Sequence, residues 1–335
     1  MKKDKIFGLW PPVPDKDGFY RYRQGRVDLT NKLFNTLVGL PAVVVGSAYL
    51  VSFLTWGLGI SGLGEVFDFG DWVHIIVLLA CAILFTVAGY YAACRHVERR
   101  FYDQEATRQE SEAWKVKPYM WLSPELRQEE VRWGCFNAAL GSACGMGLFL
   151  LQQHPATPAG IIKIYYDIHD PAYSDWMAYF GGGWPYYILS TVWFFFVIDI
   201  WAYVAHRFLH VPFVYKNIHK WHHRYRAVSP FGAYAMHPLE FLLLTVVIQL
   251  AGVLVVPVHV AALATNLIYV GHHAIIDHSG VDFDGLFLWS PSAAFHDGHH
   301  TFYHCSFGQS LVLWDWLGGT LRRTGKGYGE KNFHD

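Results

Sequence analysis

The chain has 335 residues, of which 53% are hydrophobic, 17% aromatic and only 16% charged, and its mean hydropathy is +0.19. Soluble domains carry about 25% charged residues, so this chain has too little polar surface for a soluble globule of its size and reads as an integral membrane protein. With 26 basic and 27 acidic residues the net charge is −1, which excludes a bulk basic field for nucleic acid.

Five uncharged runs reach the roughly 20 residues that a membrane-crossing helix needs. They are 33–64, 73–94, 133–162, 176–198 and 241–276. The third is usable only to about Gln152, because His154, Pro155 and Pro158 break it. The fifth has 36 residues and contains Pro257, too long for one span and suited to a hairpin. The predicted fold class is therefore an all-α integral membrane protein with about four transmembrane helices plus a helical hairpin.

Sidedness follows from the positive charges. Residues 1–32 hold eight, 95–132 eight, 205–238 five and 277–335 four, while the two intervening loops hold only Lys163. If the long run turns back, 25 of the 26 lie on one side, and the positive-inside rule makes that side cytoplasmic. Segment 95–132 balances eight basic against eight acidic residues and reads as an amphipathic helix along the cytoplasmic face, with a solvated linker as the alternative. The N-terminal stretch has no apolar core of signal-peptide length before Pro11. Cys81, Cys94, Cys135, Cys144 and Cys305 form no CxxC pair, so neither a disulfide framework nor a thiolate zinc site is expected.

Histidine is the outlier. Fourteen of 19 fall between His206 and His304, where even spreading would put about six. They form HxxxH (His206, His210), HxxHH (His219, His222, His223), His272–His273 with His278, and a second HxxHH (His296, His299, His300). Residues three and four apart share a helical face, so one HxxxH can grip one ion, and one HxxHH can serve two neighbouring ions. Eight or more convergent nitrogens exceed the needs of one tetrahedral zinc and fit a two-metal site on the cytoplasmic side. Without metal, so many imidazoles would crowd groups that titrate near neutrality. The candidate ligands are His206, His210, His219, His222, His223, His273, His278, His296, His299 and His300. Asp199, His237, Glu240, Asp277 and Asp297 are candidate supports behind them, since metal-bound imidazoles usually donate their other N–H to such groups. His304 is a further candidate support, and His74, His96, His154, His169, His259 and His334 are read as structural or surface residues.

The order Asp199-x3-Tyr203-x2-His206-Arg207-x2-His210, His219-Lys220-x-His222-His223, His237-Pro238-x-Glu240, His278-Ser279-Gly280 and His296-x2-His299-His300, followed by Gly308 and Trp314-Asp315-x-Leu317-Gly318-Gly319-Thr320, resembles the fatty acid hydroxylase / sterol desaturase superfamily over about residues 187–323. Tyr215-Lys216-x2-His219-Lys220 and Leu313-Trp314-Asp315 look most like C-5 sterol desaturases (lathosterol oxidases), whereas His278-Ser279-Gly280-x-Asp282-Phe283 looks more like C-4 methylsterol oxidases. Ser306-Phe307-Gly308 departs from the usual Asn-Tyr-Gly.

The resemblance implies two iron ions, O2 as co-substrate and electrons from NAD(P)H through cytochrome b5 and its reductase. It implies a lipid or sterol substrate taken from the bilayer, a place in the endoplasmic reticulum membrane and an active site facing the cytoplasm. Desaturation and hydroxylation both remain open, as do sphingoid-base and fatty-acid substrates. Spacing alone leaves zinc, copper and nickel open beside iron. The implied organisation is an N-terminal cytoplasmic segment 1–32, a membrane region 33–183, a catalytic domain 184–323 and a tail 324–335. A metal transporter is the rival class, but its ligands belong near the bilayer midplane, and the clustered histidines lie beyond the ends of the apolar runs. A scaffold that has lost activity is disfavoured by the complete histidine boxes.

Overall fold

A computed structural model describes residues 29–57, 71–103, 111–153, 164–165, 168, 183–255 and 257–321. The first helix, α1, covers residues 29–57 as Leu29–Phe34 and Leu40–Gly57 joined by a π-helical turn at Asn35–Gly39. Helix α2 (Trp72–Phe101) starts where the Asp71 carboxylate accepts the Val73 amide at 2.8 Å, and it ends on Arg99 and Arg100, whose charge suits a helix C-terminus. Helix α3 (Pro124–Gln153) starts on a proline, with the Ser123 hydroxyl accepting the Leu126 amide. Helix α4 (Gly183–Leu209) leads into the first histidine pair. Next come α5 (residues 215–223, a π-turn followed by one α-turn), α6 (Pro238–Val255) and α7 (Val260–Asp277). The short helices α8 (Ala293–Phe302) and α9 (Leu313–Leu317) close the described chain.

Five helical stretches are long and apolar enough to cross a membrane: Thr30–Val51, Trp72–Phe101, Pro124–Leu150, Gly183–Leu209 and Pro238–Val255. Large apolar side chains such as Trp72, Ile76, Leu84 and Phe85 on α2 point away from the protein, with Phe85 83% exposed, as lipid-facing residues must. The polypeptide is an integral membrane protein.

The long fifth run is a hairpin, as expected. Pro257 separates α6 from α7, and His237 and His259 cap the two arms through Nδ1, accepting the Leu239 and Ala261 amides at 3.2 Å each. The arms are tied by Gln249 Nε2 donating to Asn266 Oδ1 at 3.2 Å. Chain on both sides of the hairpin returns to one point: the Ala235 carbonyl lies 3.3 Å from His222 Nδ1, and His278 Nε2 lies 3.1 Å from His222 Nε2. The start of α1 reaches the same end of the molecule, where Lys32 pairs with Asp284 at 3.1 Å and Thr36 accepts the Leu288 amide. Two-residue strands, Ile164–Tyr165 and Val258–His259, pair in parallel beside the hairpin turn.

The main core joins α1, α4, α6 and α7 around Ala48, Tyr187, Phe194, Ile198, Ile248 and Ala262. Gly252 lets α6 lie against α4, since a Cβ there would come within 2.5 Å of the Phe194 ring.

Segment 95–132 differs from the amphipathic surface helix expected of it. Its ends belong to α2 and α3, and residues 111–123 form a short 3₁₀ turn and an extended strap. Phe101 and Trp114, which a surface helix would turn to the membrane face, pack inward on Val281. Residues 104–110 lie outside the described chain.

Candidate metal centre

Each histidine cluster rides on a local helix. His206 lies in the last turn of α4 and His210 directly follows it, His219, His222 and His223 are held by α5, His278 follows α7 directly, and α8 presents His296, His299 and His300. The structure sorts nine of these into two groups. Candidate ligand nitrogens of His206, His210, His219, His223 and His299 lie within 4.8 Å of one another, and so do those of His222, His278, His296 and His300. The division follows helix geometry. In each HxxHH the residues at i and i+4 share one group, while the residue at i+3 crosses to the other.

Hydrogen bonds on the far side of the rings decide what the inner nitrogens can do. Carbonyl oxygens accept from Nδ1–H of His206 (Phe307 O, 2.9 Å), His222 (Ala235 O, 3.3 Å), His278 (Ala274 O, 2.8 Å) and His299 (Cys305 O, 2.7 Å). The Glu240 carboxylate, fully buried, takes the same proton from His219 at 2.7 Å. A neutral imidazole that donates at Nδ1 has only a lone pair at Nε2. His222 and His278 therefore aim two lone pairs at each other across 3.1 Å.

Inner nitrogens also approach at 3.0 Å (His219–His223), 3.1 Å (His223–His299) and 2.9 Å (His278–His296). Protonation would relieve the repulsion in water, but here burial opposes it. Burial, reinforced by neighbouring imidazoles, holds His210 down to about 2, while burial holds His278 down to about 4 against the opposing Ala274 hydrogen bond. His219, His222, His223, His296, His299 and His300 are pushed well below the usual histidine range, again mainly by burial.

A cation is the chemical complement of these converging lone pairs. Two nitrogens about 2.1 Å from one ion sit about 3.0 Å apart at a right-angled ligand pair and about 3.4 Å apart at a tetrahedral one, so the observed contacts fit a shared ion. Both ring nitrogens of His210 and of His300 are buried without a hydrogen-bond partner, which fits the same need. The residues present therefore suit two metal ions.

A cavity between α4, α6 and α7 reaches this centre. His206, His222, His278 and His296 form part of its wall, and Ile198, Leu244, Ile248, Leu267 and Val270 line apolar parts. Such a cavity can bring an apolar molecule from the bilayer side to the imidazoles.

The remaining expected site residues lie elsewhere. His273, expected as a ligand, is outside both groups: its Nε2 faces the Gln309 carbonyl at 2.8 Å and Asp277 at 3.4 Å, and its ring stacks on Tyr269. His237 caps α6 and meets the Trp221 ring. Asp199 bonds not an imidazole but the Ser310 amide and the Trp314 indole N–H, at 3.0 and 2.7 Å, anchoring the chain after α8 to α4. Among the described residues Asp277 pairs with His273 alone and leaves Oδ1 without a partner, although the residue lines the cavity. Asp297 faces Lys117 at 3.1 Å instead of a ring, and His304 is exposed. Glu240 alone of the five expected supports bonds an imidazole of the two groups. His154, His169 and His334 lie outside the described residues.

Two contributors were missed from sequence. Asp315, fully buried, accepts the Phe307 and Gly308 amides at 2.9 and 2.6 Å and the Thr320 hydroxyl at 2.7 Å, holding the turn whose Phe307 carbonyl orients His206. Its place in the Trp314-Asp315 motif was the available signal. Lys117 is the other.

Fold and site together define an integral membrane protein with a buried polyhistidine centre able to hold metal, and residues 191–320 match the model of the Fatty acid hydroxylase family. The matched stretch contains all nine histidines of the two groups. Among curated proteins the chain is similar to a lathosterol oxidase of Mus musculus, 32% identical over 186 residues (53% of this chain, 55% of the relative). It is also similar to Delta(7)-sterol 5(6)-desaturases of Candida glabrata, 30% identical over 164 residues (49% and 42%), and Saccharomyces cerevisiae, 32% over 140 residues (41% and 37%). The chain spans about half the length, or less, of these relatives. No solved structure matches it.

Proposed function

We propose that this chain is a membrane-bound oxidoreductase that uses O2 to desaturate or hydroxylate a lipid, with a sterol handled in the manner of C-5 desaturases as the leading substrate. The names of its relatives, lathosterol oxidase and Delta(7)-sterol 5(6)-desaturase, support the sterol. The observation that carries the metal part is the His222–His278 pair, two buried imidazoles with both outer nitrogens committed to carbonyls and both lone pairs facing inward.

Two iron ions would be held by the two imidazole groups, one by His206, His210, His219, His223 and His299 and one by His222, His278, His296 and His300. Bound iron supplies the activation of O2 needed to take hydrogen from an unactivated C–H bond. The chain does the rest. Glu240 and the backbone carbonyls keep protons on the outer nitrogens, so the inner ones stay free to coordinate. The apolar walls contributed by α4, α6 and α7 admit a lipid laterally and keep water from it. Electrons are proposed to come from NAD(P)H through cytochrome b5 and its reductase. The active site is proposed to face the cytoplasm from the endoplasmic reticulum membrane, in keeping with the positive-charge count and with α1 starting beside the 284–288 segment.

Lipid profiling of a cell lacking its own sterol C-5 desaturase, with and without this chain, tests the reading. Loss of a Δ7-sterol with gain of its 5,6-unsaturated product is expected. Turnover of a 4-methylsterol or a sphingoid base would move the substrate assignment, and an unchanged lipid profile with folded, iron-loaded protein present would overturn it.

A further inference from the structure

The strap at residues 111–123 contributes no histidine, yet it contacts three segments of the centre that are remote in sequence. Lys117 Nζ lies 3.1 Å from Asp297 Oδ2 and donates to the carbonyls of Arg226 at 3.1 Å and Asp297 at 3.4 Å. The strap backbone bonds the chain after His278, with the Val116 amide donating to the Gly280 carbonyl at 2.9 Å and the Asp282 amide to the Trp114 carbonyl at 2.8 Å. At the end of α2, the Tyr102 hydroxyl donates to the Ser279 carbonyl at 2.6 Å. Lys115 anchors the strap from inside, 1% exposed, with its ammonium 5.4 Å from the Tyr102 ring and 5.3 Å from that of Trp121.

These contacts fall unevenly on the two imidazole groups. Residues 279–282 follow His278 directly and Asp297 directly follows His296, while Arg226 lies three residues past the His222–His223 pair. His278 and His296, the histidines adjoining these contacts, both belong to the second group. Lys117 and Asp297 are 12% and 4% exposed, so removing the cation leaves a nearly buried carboxylate unpaired beside the ligands of α8.

We propose that Lys117 is a positioning residue for the second imidazole group, and that the strap it pins decides whether the second metal ion is held. The inference rests on the reading that each group holds one ion. Loss of a group that orients metal ligands typically weakens metal binding about 10–100-fold. Here that loss falls on one ion of two.

The test uses the full chain purified without oxygen and loaded with iron(II), comparing wild type, Lys117→Met and Lys117→Arg. Iron per chain is measured over a graded EDTA series, with far-ultraviolet circular dichroism on the same samples. The methionine variant should release one iron at about 10–100-fold less chelator than wild type does and keep the other, with helix content unchanged, and arginine should restore retention of both. Retention of both irons by Lys117→Met, loss of both together, or failure of arginine to restore the second would overturn the role. A wild-type chain that never holds two irons would instead overturn the two-metal reading, and with it this one, before any variant is compared.

Discussion

Replacing Glu240 with glutamine tests whether the carboxylate behind His219 is what turns that imidazole toward metal. Both side chains are fully buried and Oε1 lies 2.7 Å from Nδ1, while Oε2 has no partner. Glutamine keeps the shape and one acceptor but removes the charge, and it places an N–H₂ where no acceptor waits. A hydrogen bond to a charged group contributes about 1.5–3 kcal/mol, and each 1.4 kcal/mol is about tenfold in an equilibrium constant. Iron affinity should therefore fall about 10–100-fold, the range usual for groups behind metal ligands. The assay is competition with a chelator for iron(II) under nitrogen, with helix content checked in parallel. Affinity within about threefold of wild type would refute the idea that this carboxylate sets the tautomer of His219.

Two further outcomes concern stability. Burial pushes the Lys115 ammonium down from 10.5 to about 8, with Asp297 pulling the other way. Between those pH values the unfolded chain holds a proton that the folded chain has released, so Lys115 lets stability rise with pH across that window, by about 3 kcal/mol in all, and changes nothing below it. Wild type should gain thermal stability over Lys115→Met between pH 7.5 and 9.5, and parallel melting curves would count against it. Ser306 has φ +57° and a buried, unpartnered hydroxyl. Ser306→Gly removes both penalties and should raise stability by about 1 kcal/mol, read as a higher melting temperature; a lower one would mean that the hydroxyl is in use.

Features that depend on local spacing were legible from sequence. Pro257 within 36 uncharged residues and the charge count both indicated a hairpin, which the Gln249–Asn266 bond and the return of both ends to His222 describe in detail. HxxHH spacing indicated that each box could serve two ions, and the i, i+4 against i+3 division follows from the helical repeat. What was not legible depends on long-range contacts or on backbone. Lys117 meets Asp297 across 180 positions, so nothing near either residue marks the pair. Four of the five groups that orient imidazoles are backbone carbonyls, which have no residue code at all. Balanced charge in 95–132 suited a surface helix or a solvated linker, and neither reading anticipated the inward packing of Trp114 on Val281. His273 was placed with the ligands because it neighbours His278 in sequence, but it stands more than one turn back on α7, where the Gln309 carbonyl takes its Nε2 proton.

The central claim is that two converging imidazole groups are two iron sites. Metal analysis of the full chain, purified without oxygen from iron-replete cells, tests it most directly. About two iron atoms per chain are expected, both lost when His222 and His299 are replaced by alanine together; one tightly bound zinc and no iron would contradict the account.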